Sequence, residues 1–117
     1  MDSTDIFNRG GSIPRVINLV YEDTLLPIDT DSLDDILFSV IHATTTRELD
    51  NFSLGEATVE IIDSANGQVR FIVPQSISAT AKLGKYNVIA TTEETDADFE
   101  DNNYIRKGSD FCFKLIL

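Results

Sequence analysis

His42 and Cys112 are the only histidine and the only cysteine among 117 residues, so any chemistry that needs an imidazole or a thiol has one of each to work with. A hydrolase built on His42 needs an acid to orient the ring and a nucleophile in front of it, and no nucleophile motif such as G-x-S-x-G is present. His42 closes an apolar run and reads as a boundary residue with a satisfied hydrogen bond. Cys112 has no intramolecular disulfide partner. It alternates with Phe111 and Phe113, which sets it on the opposite strand face, and only Lys114 lies close enough in sequence to lower its pKa. It reads as an inert structural thiol.

The carboxylates are more numerous than informative. Asp29, Asp31, Asp34 and Asp35 fall within seven residues and suggest a calcium loop, because hard cations want several oxygen ligands. The spacing fails in detail: counted from Asp29, the fifth position is Leu33, the sixth is Asp34 rather than Gly, and the twelfth is Val40 rather than Glu. Glu93, Glu94, Asp96, Asp98, Glu100 and Asp101 surround only one apolar side chain of any size, Phe99. That stretch has enough carboxylates for an adventitious calcium ion and otherwise reads as a solvated loop tip or a docking surface for a basic partner. Carboxylate pairs for glycoside hydrolysis carry no specificity among so many acids, and with no Trp and three Tyr the usual sugar platform is missing. Gly10-Gly11 precedes no strand-to-helix junction with a lysine, so no phosphate loop is indicated. The expectation is a non-enzyme with no catalytic residue, no cofactor and no dedicated metal.

Twenty acidic against nine basic residues give a formal net charge of -11, which repels nucleic acid and anionic lipid. The N-terminus carries Asp2 and Asp5 and no apolar run of the kind that makes a secretory signal. The longest apolar stretches, such as Ile36-Leu37-Phe38, fall far short of the roughly 20 residues needed to cross a bilayer. At 42% hydrophobic and 25% charged residues the composition is that of an ordinary folding chain, and the length suits one domain.

The elements that would carry these residues are strands. Residues 1–12 have no periodicity and predict a flexible arm that orders only against a partner or the domain's own edge; 13–117 predict the domain. Period-two patterning predicts strands over 15–21, 36–43, 57–63, 68–73, 85–91, 104–106 and 109–117, with a short edge segment at 25–29. Pro14 suits the start of an edge strand, 36–43 is the most apolar and so central, and Asn66-Gly67 predicts a hairpin between the third and fourth strands. Residues 44–55 read as a polar connection with one helical turn at 47–49. Residues 75–83 read as a turn or two of helix with Ile77, Ala81 and Leu83 facing inward, stopped by Gly84. About seven strands with turns between and almost no helix predict an all-β, antiparallel, immunoglobulin-like β-sandwich, although the Cys pair and core Trp of antibody domains are absent.

Three segments carry a resemblance. Residues 66–74 run from Asn66-Gly67 to Pro74, residues 79–89 contain Leu83-Gly84-Lys85-Tyr86, and residues 105–113 place Gly108 ahead of the closing Phe111 and Phe113. With the lead-in from Leu25 to Ile36, this order resembles the N-terminal immunoglobulin-like domain of phage baseplate upper proteins and related tail-associated structural domains, over about nine tenths of the chain. Those proteins continue into long helical regions and this sequence stops with the sandwich, so a capsid auxiliary (decoration) protein or small tail adaptor suits it at least as well. The resemblance implies a non-enzymatic bacteriophage virion protein, made in the host cytoplasm, whose partners are other capsid or tail subunits in a homo- or hetero-oligomeric assembly. The expected partner-binding residues are Ile6, Phe7 and Arg9 on the arm and Glu93, Glu94, Asp96, Asp98 and Phe99 on the acidic tip. Pairing at the edges 15–21 or 111–117 would extend a sheet between chains. The alternative is a binding module of a cell-surface or carbohydrate-recognising system that uses the loops 44–55 and 92–103.

Overall fold

A strand with one buried face alternates apolar and polar residues, and most of this chain does so. The computed structural model describes residues 5–21 and 24–116, and the side chains of all of these except 5 and 109–111. The first four residues of the expected arm, Glu22 and Asp23 of the first turn, and Leu117 lie outside the described residues. The strands are β1 (Asp5–Asn8), β2 (Ile13–Asn18), β3 (Asp35–His42), β4 (Glu48–Ser53), β5 (Val59–Asp63), β6 (Gln68–Val73), β7 (Gly84–Thr95) and β8 (Asn103–Ile116). One helical turn, α1 (Gln75–Ser78), and two 3-10 turns, Thr30–Ser32 and Glu100–Asn102, complete the elements. The chain is all-β, in one sheet ordered β1-β8-β7-β3-β4 and another ordered β2-β6-β5.

Two expectations about this pattern need correction. Every neighbouring pair is antiparallel except one: β1 runs parallel to β8, Asp5 opposite Phe113 and Asn8 opposite Ile116. The described residues also form eight strands rather than seven. The arm supplies β1, and the connection at 44–55 contains β4, whose polar sequence fits an edge strand with Phe52 as its one buried side chain. The strands expected at 104–106 and 109–117 are one strand. Lys107-Gly108 reads as a turn in sequence, but here it passes through the ladder, with a register shift opposite Val88 and Ala90 taking up the irregularity. The edge segment at 25–29 shrinks to a single bridge between Val20 and Pro27.

Other expectations hold. β3 lies between β7 and β4 and buries Ile36, Phe38, Val40 and His42 in strict alternation. β2 is an edge strand, with Pro14 opposite Ile72. β5 and β6 pair as a hairpin closed by residues 64–67. Gly67 sits there at φ +66, and a Cβ on it would lie 2.5 Å from the Leu19 carbonyl oxygen and 2.7 Å from that of Ile28. No other residue fits that position. Ala81 is buried, with Ile77 and Leu83 packed half-buried against the core.

The inner faces of the two sheets meet in one core. Phe38 of β3 stacks on Phe71 of β6 with centroids 4.8 Å apart, Phe52 of β4 reaches the same ring at 5.7 Å, and Tyr86 of β7 stacks on Phe113 of β8 at 5.3 Å. Ile13, Ile17, Val69 and Val73 close it from the smaller sheet. The chain crosses between sheets at Gly10-Gly11, held by buried Ser78: the Gly10 N–H donates to Ser78 Oγ (2.9 Å), which donates to the Gly11 carbonyl (2.7 Å). Residues 5–8 are thus placed on the domain's own edge, the second of the two outcomes expected for the arm.

Candidate interaction surface

β7 and β8 form the longest hairpin and carry the acidic tip, residues 96–102, at one end of the larger sheet. The connection from β2 to β3 comes to the same end, because β3 begins where β7 finishes: Asp35 pairs with Glu93, and the Asp34 N–H donates to the Glu93 carbonyl at 2.7 Å. Thr95 Oγ1 donates to Asp34 Oδ2 at 2.6 Å, tying the two loops together.

Between them lies a cation bracketed by rings. The Arg106 guanidinium sits 4.1 Å from the Tyr104 ring centroid and 5.0 Å from that of Tyr21, and its Nη2 donates to Glu94 Oε1 at 3.0 Å. Ring quadrupoles attract the cation while the carboxylate offsets its charge. Its Nη1 is buried without an acceptor among the described residues. Phe99 packs against Tyr104, centroids 4.2 Å apart, and stays 43% exposed. Leu25 and Leu26 project nearby in chain terms at 71% and 61% exposure, fixed by hydrogen bonds between Tyr21 and Leu26 (2.9 Å) and between Leu25 and Tyr21 (2.8 Å). Leu25 holds φ +58, a left-handed conformation that costs a leucine about 1–2 kcal/mol. Strain of this kind collects at ligand clamps and switch segments.

The expected site residues divide into two groups. Glu94 is the acid that pairs with Arg106. Glu93 is half-buried at the sheet's end, Asp96 Oδ1 accepts from the Asp98 N–H at 3.0 Å, and Asp98 is exposed. Glu93, one residue along β7 from Glu94, lies on the opposite face of the strand, while Glu94 and Phe99 touch the cluster of Arg106 and Tyr104. Ile6, Phe7 and Arg9 lie far from it. Ile6 is opposite Lys114 while Glu94 is opposite Tyr104, ten residues along β8, or about 33 Å at the rise of a strand. Phe7 meets Phe113 of its own chain edge-on at 6.1 Å, Ile6 is 61% exposed, and Arg9 donates its N–H to the Ile116 carbonyl at 2.7 Å. Of the two edges offered for pairing, β2 is open on one side, whereas residues 113–115 of β8 lie between β7 and β1.

Residues Tyr21, Tyr104, Arg106, Leu25 and Leu26 were not singled out in the sequence. Tyr104-x-Arg106 in a strand puts both side chains on one face, which is a legible signal. The approach of Tyr21 is not, since it depends on the tertiary fold.

Both ring nitrogens of His42 have hydrogen-bond partners, as expected for a boundary residue. Nδ1 accepts from the Thr44 and Thr45 N–H groups at 3.2 Å each, Nε2 faces the Leu83 carbonyl at 3.1 Å and so carries the hydrogen, and the ring meets Tyr86 edge-on. Among the described residues no cluster of three or more His, Cys, Asp or Glu is placed to hold a metal ion, and no helix is long and apolar enough to cross a membrane. No protein-family model matches the chain, and no curated protein matches its sequence.

Proposed function

We propose that this chain is a non-enzymatic, immunoglobulin-like assembly module of a bacteriophage virion, a capsid auxiliary protein or a tail or baseplate adaptor. The observation that carries the fold part of this reading is the strand order. β2, β6 and β5 take the places of strands B, E and D, β3, β7 and β8 those of C, F and G, and β4 adds the C′ position beside C. Tyr86 supports it further. It stands near the start of the F-equivalent strand, and its hydroxyl donates to the Lys82 carbonyl four residues upstream at 2.5 Å, the arrangement called a tyrosine corner. Phe38 then fills the place of the antibody core Trp on strand C, and Val88 that of the second Cys, so packing replaces the disulfide.

The virion part rests on the resemblance of residues 66–74, 79–89 and 105–113 and on the acidic excess, which keeps many copies soluble before assembly and favours basic docking surfaces. Quantitative mass spectrometry of purified virus particles from the source tests it. Hundreds of copies per particle identify a capsid auxiliary protein, a few to a few dozen a tail or baseplate component, and absence from particles overturns the reading.

One observation favours a second reading, a binding module that works through its loops. Leu25, Leu26 and Phe99 expose apolar surface at the end where the B–C and F–G equivalent loops meet, the end that antibody domains use for ligands. The loop at 44–55 does not join them as a unit, because it contains β4 and its first turn lies at the His42 end of the sheet.

A further inference from the structure

Two rows of like charges face each other across strands on the outer surface of the five-stranded sheet, at its opposite ends. The inner positions of β3, β7 and β8 are the buried ones, Ile36, Phe38 and Val40, then Tyr86, Val88 and Ala90, then Phe113 and Leu115, so Asp35, Lys85, Glu93 and Lys114 all point outward. Asp35 is directly opposite Glu93, and Lys85 is directly opposite Lys114. Like charges in directly opposed positions repel, and among the described residues none of the four has an ion-pair partner. Each row also ends in an exposed isoleucine: Ile105 lies opposite Glu93, and Ile6 opposite Lys114. Between the rows the same face is uncharged along β3 and β7, with Leu37, Ser39, Ile41, Ile89 and Thr91 half-buried. Among the described side chains of β4 and β8, one charge of opposite sign interrupts each half, Lys107 in the row of Thr91 and Glu48 in the row of Ile41.

We infer that this face binds a second copy of the chain as a two-fold dimer. A two-fold axis lying in the interface and running across the strands reverses the strand direction, so the acidic row of one copy covers the lysine row of the other, twice over. Glu93 meets Lys85 of the second copy, with Asp35 and Lys114 flanking. The rows that hold Lys107 and Glu48 also face one another. Both repulsive pairs of the monomer are relieved by the same contact, and the uncharged middle is removed from water. An isologous interface requires such self-complementarity. The face from β4 to β1 over residues 85–93 of β7 has a footprint of roughly 600 Å² per copy at ordinary strand spacings. That is below the standard of about 800 Å² per partner, which makes the dimer concentration-dependent. The inference goes beyond the virion reading, naming the chain as its own partner, and does not depend on where the protein is found.

Sedimentation equilibrium across rising concentration, at low and high salt, tests it. The wild type is expected to pass from 13.0 kDa monomer to dimer, more weakly at high salt. The double variants Lys85→Glu/Lys114→Glu and Asp35→Lys/Glu93→Lys are each expected to stay monomeric and to form a heterodimer when mixed, since every contact is then again between opposite charges. Lys114→Glu alone places an acid opposite Lys85 within the monomer, so it should raise the melting temperature while weakening dimerisation about tenfold, opposite directions that a folding defect does not produce. A wild type that remains monomeric throughout, a dimer indifferent to both reversals, or a mixture of two cooperatively melting variants that stays monomeric overturns the inference.

Discussion

Tyr86 shows how one hydroxyl can hold a corner of the fold. Its ring is buried against Phe113 and the edge of His42, and its hydroxyl reaches back to the Lys82 carbonyl. Tyr86→Phe leaves that carbonyl unpaired and is expected to lower stability by about 1 kcal/mol in urea denaturation near neutral pH. Burial also pushes the Tyr86 phenol above its ordinary value of 10.0. The folded state therefore keeps a proton that the unfolded chain gives up, and the stability this contributes is complete below about pH 10 and falls as pH rises through the higher folded value. In Tyr86→Phe that part of the alkaline loss should disappear. Equal slopes of stability against pH above 10 in wild type and variant would show that the phenol does not ionise differently in the two states. Beside it, Gly84 explains why the step before Tyr86 takes glycine: φ is +129, and a Cβ would come 2.9 Å from His42 Nε2.

At the scale of elements, β1 depends on its crossing. Four residues of parallel pairing are too few to hold a strand alone, and the added hold comes from Phe7 on Phe113, the Arg9 N–H on the Ile116 carbonyl, and the two Ser78 hydrogen bonds that fix Gly10 and Gly11. Ser78→Ala strands a donor and an acceptor, at a cost of about 2 kcal/mol. Hydrogen exchange at the amides of residues 5–8 should quicken more than at those of β3, since the loosened crossing releases the edge strand first. Equal changes in both would mean that β1 opens only with the whole molecule. The β7–β8 hairpin has the opposite character: its strands of twelve and fourteen residues stay paired for two positions beyond Asp35, where β3 begins, and it carries the Arg106 cluster outward on a stiff support.

For the whole molecule the decisive feature is that two sheets share one core, so neither has an independent folding unit to fall back on. Phe38→Ala removes a fully buried ring that stacks on Phe71 from the other sheet, and a loss of about 3–5 kcal/mol is expected in a single denaturant transition. Two separate transitions would show the sheets to be energetically independent. Among the described residues no element forms a second layer on the outer face of the larger sheet, which is why charges on that face can be arranged for a second copy.

The sequence by itself determined the strands whose alternation is strong, β3, β5, β6 and β7, together with the turn at Gly67, the edge position of Pro14 and the satisfied hydrogen bonding of His42. Each of these follows from residues close in the chain, through side-chain period, backbone freedom or a missing ladder donor. What only the tertiary structure decided is which strands are neighbours and in what register. β1 and β4 have weak patterns, since an edge strand buries little, and their pairing depends on β8 and β3 being present first. Lys107-Gly108 looks like a turn locally and becomes part of β8 because β7 continues alongside it. Tyr21 meets Arg106 across more than eighty residues of chain, and Lys85 meets Lys114 across nearly thirty. Such contacts are set by the packing of whole sheets, for which no local pattern of residues is a substitute.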